Sequence, residues 1–246
     1  SSMTSSKLSH SSITTYNDCQ KKFYFRYILK IPEKPKHYFS FGKAVHAALE
    51  AMYSSPCRPN LTALLQAYDS AWSSEGYKDK PAEKKAHAEG EVMISKYYEI
   101  NAPGWTPCVS TEMRFDVVIE GVRLTGFIDR VDSMPGDRIH IIDYKTGREL
   151  EPGREAGDEQ LTMYQLACET MGLGKVGSVS LVHVPTARWA TASRHGEELV
   201  SKLISKIVHT AGAIADGKYI ETPSEDACKW CDYKRMCPAW GTVSSM

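Results

Sequence analysis

Gly126-Phe127-Ile128-Asp129-Arg130 and Ile141-Ile142-Asp143-Tyr144-Lys145-Thr146-Gly147 are two apolar runs, each interrupted by an acid, with the turn Pro135-Gly136-Asp137 between them. They read as paired strands. Residues i and i+2 of a strand share a face, so Asp143 and Lys145 project together, while Ile142 and Tyr144 point the other way. Pairing of the strands brings Asp129 close to Asp143. Two carboxylates and an ammonium at one sheet end suit a divalent cation and a phosphate oxygen. An isolated Asp-x-Lys is otherwise an ordinary surface ion pair, so the rest of the chain has to decide.

Outward from the hairpin, residues 109–119 add a strand through the turn Glu120-Gly121, completing a meander. Downstream, Gly172 and Gly174 end a helix over about 158–171. A buried strand follows at 176–184, then a short edge strand at 188–193 and a long helix at 196–215. Upstream, Ser11 or Ser12 is expected to cap a continuous helix from Ile13 to Leu29. Its aromatic stripe (Tyr16, Phe23 and Tyr27, with Cys19 among them) reads as core. A second helix is expected from Phe41 through Met52, and further helices at about 60–75 and 81–100.

The chain of 246 residues can hold one large domain or two small ones, and its formal net charge is zero. That balance does not advertise a nucleic-acid binder, but its distribution does. Residues 1–45 carry eight Lys or Arg against Asp18 and Glu33, a net of +6. Such a segment fits contact with a polyanion, or equally a solvated helix face. No stretch reaches the run of about 20 apolar residues that crosses a bilayer, and the Ser-rich start has no apolar signal core. No Gly-x4-Gly-Lys-[Ser/Thr] loop is present, so ATP-driven unwinding has to come from a partner.

Of seven cysteines, Cys57, Cys108 and Cys168 are scattered, and Cys228-x2-Cys231-x5-Cys237 is a cluster. Thiolates at such spacings ligate metal or iron–sulfur clusters. Cys19 is the best fourth ligand. One distant cysteine with a triplet does not look like a zinc finger, whose ligands come in two close pairs. It suits a cluster that staples the two chain ends; zinc and plain buried thiols are the alternatives.

Here the sequence resembles a known family. Ser12-x3-Tyr16-x2-Cys19-x3-Phe23, Gly42-x2-Val45-His46, Gly126-x2-Asp129-Arg130-Val131-Asp132, Asp143-Tyr144-Lys145-Thr146-Gly147, Gln160-x3-Tyr164 and the cysteine triplet stand in the order of the RecB-like branch of the PD-(D/E)XK nuclease superfamily. More closely, it resembles the iron–sulfur members: the CRISPR-associated Cas-four nucleases, the AddB nuclease domain and related phage exonucleases. Each motif is weak alone; their order is what carries the resemblance.

The resemblance implies an α/β fold: a restriction-endonuclease-like core with a small central mixed sheet flanked by helices, a helical insertion, and an iron–sulfur region joining both termini. Within one nuclease domain spanning 1–246, residues 1–40 and 220–246 would form the cluster region, 41–105 the helical subdomain and 106–219 the core. His46, Asp129 and Asp143, with the Tyr144 carbonyl, would bind Mg²⁺ or Mn²⁺. Lys145 would orient the attacking water and stabilise charge on the phosphorane. Gln160 and Tyr164, four apart on one helix face, would border the active site. Glu112 and Tyr16 would lie around the substrate, Glu112 being otherwise a surface carboxylate. Asp132 is expected to be structural, pairing with Arg130 or with a neighbouring strand, and His183, His195 and His209 to do no chemistry. Cys19, Cys228, Cys231 and Cys237 would hold a [4Fe-4S] cluster.

The implied activity is metal-dependent DNA hydrolysis leaving 5′-phosphates. It would act on single-stranded DNA from ends, in recombination, repair, phage DNA processing or CRISPR spacer acquisition. The partners are DNA (single strands or duplex ends) and a helicase or CRISPR adaptation proteins, with no membrane, in the cytoplasm of a bacterial, archaeal or phage-infected cell. Two rivals stand beside it: a DNA-end-binding scaffold with little cutting of its own, and a zinc protein of unrelated fold.

Overall fold

The computed structural model describes residues 7–240. Eight α-helices and five strands are described, running α1 (His10–Asp18), α2 (Gln20–Phe23), α3 (His37–Ser54), α4 (Leu61–Ala71), α5 (Lys80–Asn101), β1 (Ser110–Ile119), β2 (Val122–Met134), β3 (Arg138–Lys145), α6 (Glu159–Thr170), β4 (Lys175–His183), β5 (Arg188–Ser193), α7 (Glu197–Ala215) and α8 (Glu225–Lys229). The strands form one mixed sheet in the order β1-β2-β3-β4-β5. β2 and β3 are antiparallel, with Arg130 opposite Ile142. β3 and β4 are parallel, with Lys145 opposite His183, and α6 lies in the crossover that parallel pairing requires. β5 returns antiparallel. The two expected turns are both present, with Glu120, Gly121, Gly136 and Asp137 all at positive φ.

The chain divides into two compact units. One comprises Pro35–Phe115 and Phe127–Val200; the other comprises the segment up to Lys34, Asp116–Gly126, and the segment from Ser201.

In the first unit, Val45, Ala48, Leu49 and Met52 line one stripe of α3 at helical spacing. They pack with Leu64 and Tyr68 of α4, Ile94 and Tyr97 of α5, Ile142 and Tyr144 of β3, and Val182 of β4 in one core. α3 begins at His37, one turn earlier than expected. Its N-cap, Lys36, makes no side-chain capping bond, so no capping signal marked it. Gly90 of α5 faces Tyr68, whose hydroxyl donates to the His87 carbonyl. A Cβ at Gly90 would overlap the Tyr68 ring and hydroxyl and press on Phe41. Gly90→Ala is therefore expected to lower the unfolding free energy by about 1–3 kcal/mol, despite a helix-propensity gain of about 1 kcal/mol. Urea denaturation measures this, and an unchanged midpoint would refute the contact.

In the second unit, Leu8 pairs with the β2 end (its N–H donates to the Arg123 carbonyl, 2.9 Å), so the chain is still extended at this point. It turns at Ser9, which forms a reciprocal capping box with Ser12. Ser9 is thus the cap, not Ser11 or Ser12. The expected single helix to Leu29 is also interrupted. Cys19 is extended (φ −158°, ψ 113°) between α1 and α2, and residues Tyr24–Ile28 widen into a π-turn. Asn17 and Asp18 are weak helix formers. The Asn17 amide bonds back to the Ile13 carbonyl (2.8 Å) and to Thr210 of α7 (3.1 Å). The aromatic stripe survives the break: Phe23 meets Tyr16 at 5.3 Å and Tyr27 at 5.0 Å between ring centroids. The two chain ends meet here. The Tyr233 hydroxyl donates to the Ile31 carbonyl (2.7 Å), and the Lys34 N–H to Asp232 (2.9 Å).

Candidate active site

All of the expected catalytic side chains lie in the first unit. β3 alternates as the sequence requires: Ile142 and Tyr144 enter the core, while Asp143 and Lys145 share the other face. Lys145 Nζ lies 2.8 Å from Asp143 Oδ2 and donates to Gln160 Oε1 at 2.7 Å. Gln160 Nε2 in turn donates to the Tyr164 hydroxyl at 2.9 Å. The lysine is thus held by a neighbouring carboxylate and by a side-chain relay from α6.

Tyr144 knits the site together with its backbone. Its N–H donates to Asp129 Oδ2 at 2.8 Å, and its carbonyl lies 3.2 Å from His46 Nε2. Burial lowers the His46 pKa, more than the nearby Asp143 charge raises it. The ring is neutral, and donation through Nε2 leaves Nδ1 bare, 3.9 Å from Asp129 Oδ1. His46 gets this close because Gly42, one turn back on α3, has no side chain to meet Thr146: a Cβ there would sit 3.2 Å from Thr146 Oγ1.

Glu112 is more central than its sequence context indicated. It adopts φ 43° inside β1, the left-handed region that non-glycine residues seldom occupy. One ligand atom each from His46, Glu112 and Asp129 lies within 4.8 Å of the others. Backbone strain at a side chain aimed into such a group is characteristic of functional sites. His46 and Glu112 line a cleft of about 810 Å³ bounded also by Tyr144, Lys145, Thr146 and Gly147.

The donor set fits a hard divalent ion: one neutral imidazole with carboxylate oxygens. Buried Asp143 Oδ2 has its ionic contact to Lys145 at 2.8 Å but no hydrogen-bond partner among the described residues. Burial first, and the Asp143 charge second, push the Asp129 carboxyl well above the usual range. Burial, Glu50 and Asp143 raise Glu112 as well. Two acids therefore retain protons into a higher pH range when no cation is bound, and a cation displaces them. Mn²⁺ affinity is expected to rise with pH until those raised pKa values are passed, with proton release on binding. Titration calorimetry in buffers of different ionisation enthalpy measures it; binding without proton release would refute the assignment.

The remaining candidates are placed as follows. Arg130 makes a bidentate pair with Asp132 (2.8 and 2.6 Å), bonds the Tyr144 hydroxyl (3.2 Å) and lies over the Tyr53 ring. This buried brace was only half foreseen in the Arg130–Asp132 pairing. His183 Nε2 is 2.9 Å from the Gly147 carbonyl, steadying the loop after Lys145. His195 bonds Thr162 and the Glu155 carbonyl. Tyr16 belongs to the second unit, where its hydroxyl donates to the Lys218 carbonyl at 2.8 Å. In that same unit Cys19, Cys228, Cys231 and Cys237 line one small pocket together with Lys22. Cys19 is the extended residue between α1 and α2. Cys168 is buried elsewhere, its thiol pushed up to about 12 by burial and Glu169.

The chain belongs to the PD-(D/E)XK nuclease superfamily, which it matches over residues 7–238. Nucleases of this superfamily use divalent metals, and the convergent His46–Glu112–Asp129 group is a site that can hold one. The Gene 69 protein of Mycobacterium phage D29 is 24% identical over 269 aligned positions, covering 94% of this chain and 96% of that protein. The Gene 69 protein of Mycobacterium phage L5 is 28% identical over 144 positions, 54% of this chain and 46% of that one. A crystal structure of a candidate exonuclease from Eubacterium rectale superposes with a TM-score of 0.59 at 11% identity, covering 97% of this chain and 91% of that one; at that identity the likeness speaks for the fold. No helix of the described residues is long and apolar enough to cross a membrane.

Proposed function

We propose that the chain is a metal-dependent deoxyribonuclease of the RecB-like, iron–sulfur branch that degrades single-stranded DNA from an end and leaves 5′-phosphates. The observation that carries this reading is the convergence of His46, Glu112 and Asp129 beside the Asp143–Lys145 pair.

His46, Asp129 and Asp143 would hold Mg²⁺ or Mn²⁺, and Glu112 would join them. The ion supplies Lewis acidity that offsets phosphate charge and acidifies water. The Tyr144 carbonyl orients His46. Lys145, aimed by Gln160 and Tyr164, donates to the attacking water and to the oxygen on which charge develops. The four cysteines around the second unit's pocket would hold a [4Fe-4S] cluster, in a region built from both ends of the chain.

The likeness to mycobacteriophage proteins favours phage DNA processing in an infected cell's cytoplasm over CRISPR adaptation, with a helicase as the partner that would supply single strands. Linear strands labelled at either end, and a circular strand, should be incubated with Mg²⁺ and with Mn²⁺. Progressive shortening of the linear strands with the circle intact is expected. Cutting of the circle at a comparable rate would overturn the exonuclease assignment.

A further inference from the structure

The first turn of α3 carries rings that the core does not use. Phe39 is 61% and Tyr38 55% exposed, yet both line the cleft that holds His46 and Lys145. They begin a ladder. Phe39 and Tyr38 are 4.7 Å apart between centroids, Tyr38 and His37 5.5 Å, and His37 and Tyr77 5.7 Å; Tyr77 stacks on Trp72 at 5.5 Å and 19°. The ladder is held in place, not loose. The Ser40 hydroxyl donates to the Glu75 carbonyl at 2.9 Å. Gly76, at φ 85°, passes so close to the backbone of Lys36 and His37 that no side chain fits.

Tyr38 and Phe41 are also walls of a second cavity of about 470 Å³, bordered by the exposed lysines Lys78 and Lys85, with Glu89 the acid among its lining residues. The catalytic cleft thus continues, over a ridge of rings, into a site with more positive than negative side chains. Rings give a sequence-tolerant platform for bases, and lysines follow the phosphates. A base pair inside a duplex has no free face to offer such a ladder; an unpaired strand does.

We propose that Phe39, Tyr38, His37 and Tyr77 with Lys78 and Lys85 form a second nucleotide-binding site, a track that holds several unpaired nucleotides leading away from the scissile phosphate. This rests on the DNA-nuclease reading and adds to it the element that selects single strands.

Fluorescence anisotropy with oligothymidylates of increasing length tests it, with Ca²⁺ replacing Mn²⁺ so that binding is read without cleavage. Wild-type affinity is expected to keep rising beyond a length that fills the cleft alone, and to exceed that for a blunt duplex. Tyr38→Ala with Phe39→Ala should flatten the length dependence and weaken the longest strand by about tenfold or more. Lys78→Ala with Lys85→Ala, both on the surface and compatible with folding, should reduce the slope of log affinity against log salt by about 1.4. Unchanged length dependence in the ring variant, an unchanged salt slope in the lysine variant, or equal affinity for the duplex would each overturn the track. A wild-type protein that binds in this way but cleaves no DNA with Mn²⁺ would instead overturn the nuclease reading and leave the track standing.

Discussion

Lys145→Ala is expected to slow cleavage of single-stranded DNA on the order of a hundredfold to a thousandfold, measured in single-turnover reactions with saturating Mn²⁺. The expectation comes from how much structure is spent on one ammonium. Asp143 contacts it at 2.8 Å, and the Gln160–Tyr164 relay holds it from α6. A side chain so constrained can stabilise charge in the transition state without reorganising. Its loss should therefore appear in the chemical step and leave DNA affinity nearly intact. Lys145→Arg should rescue little, because a planar guanidinium cannot take the place of a compact ammonium between Asp143 and Gln160. Gln160→Ala should fall between, since it frees the lysine without removing it. The far-ultraviolet circular dichroism should not change, as Lys145 is not part of the core. Undiminished cutting by Lys145→Ala would sink the assigned site.

The second large effect concerns the other unit. Cys231→Ser is expected to abolish the broad visible absorbance of anaerobically purified protein and to loosen the packing of α1 against the C-terminal segment. A cluster held by Cys19 and Cys228 would close a loop of about 200 residues, worth on the order of 5 kcal/mol in unfolded-chain entropy. Other contacts join the two chain ends as well, among them the Tyr16–Lys218, Asn17–Thr210, Tyr233–Ile31 and Lys34–Asp232 bonds and the contact of Phe25 with Tyr233 at 5.4 Å, so a loss rather than a collapse of stability is expected. Thermal melts of wild type and variant, followed by tryptophan fluorescence (Trp230 and Trp240 lie in this segment), should show the loss. A colourless wild-type protein with stoichiometric zinc would refute the iron cluster and leave the Lys145 prediction untouched.

The strands and most helices were legible because their signals are local. Period-two alternation and turn residues placed β1, β2 and β3 nearly to the residue. Asp143, Lys145 and their shared face followed from alternation alone. The pairing of Arg130 with Asp132 was one of two expected alternatives, but its bond to the Tyr144 hydroxyl and its place over the Tyr53 ring arise between distant segments.

Three features escaped for physical reasons. Ser9 caps α1 because Leu8 is held extended by β2, a long-range constraint that a Ser-His-Ser-Ser run does not reveal. The break at Cys19 follows the residues that bond across to α7, Asn17 to Thr210 nearly two hundred residues away. Glu112 reads as an ordinary strand residue until its φ is known. One signal was present and unused: His37-Tyr38-Phe39-Ser40-Phe41 is too aromatic for a helix start that buries only part of it.

The alternation of β3 also bears on how the molecule reaches its fold. Slipping this strand by one position against β2 and β4 would turn Asp143 and Lys145 into the apolar core and put Ile142 and Tyr144 in the cleft. The buried acid and amine would then face Leu49, Ile94 and Val182 with nothing to solvate them. The residues that the reaction needs are thus the ones that make misthreading intolerable. A chain that has found a stable sheet has, by the same selection, assembled its catalytic pair.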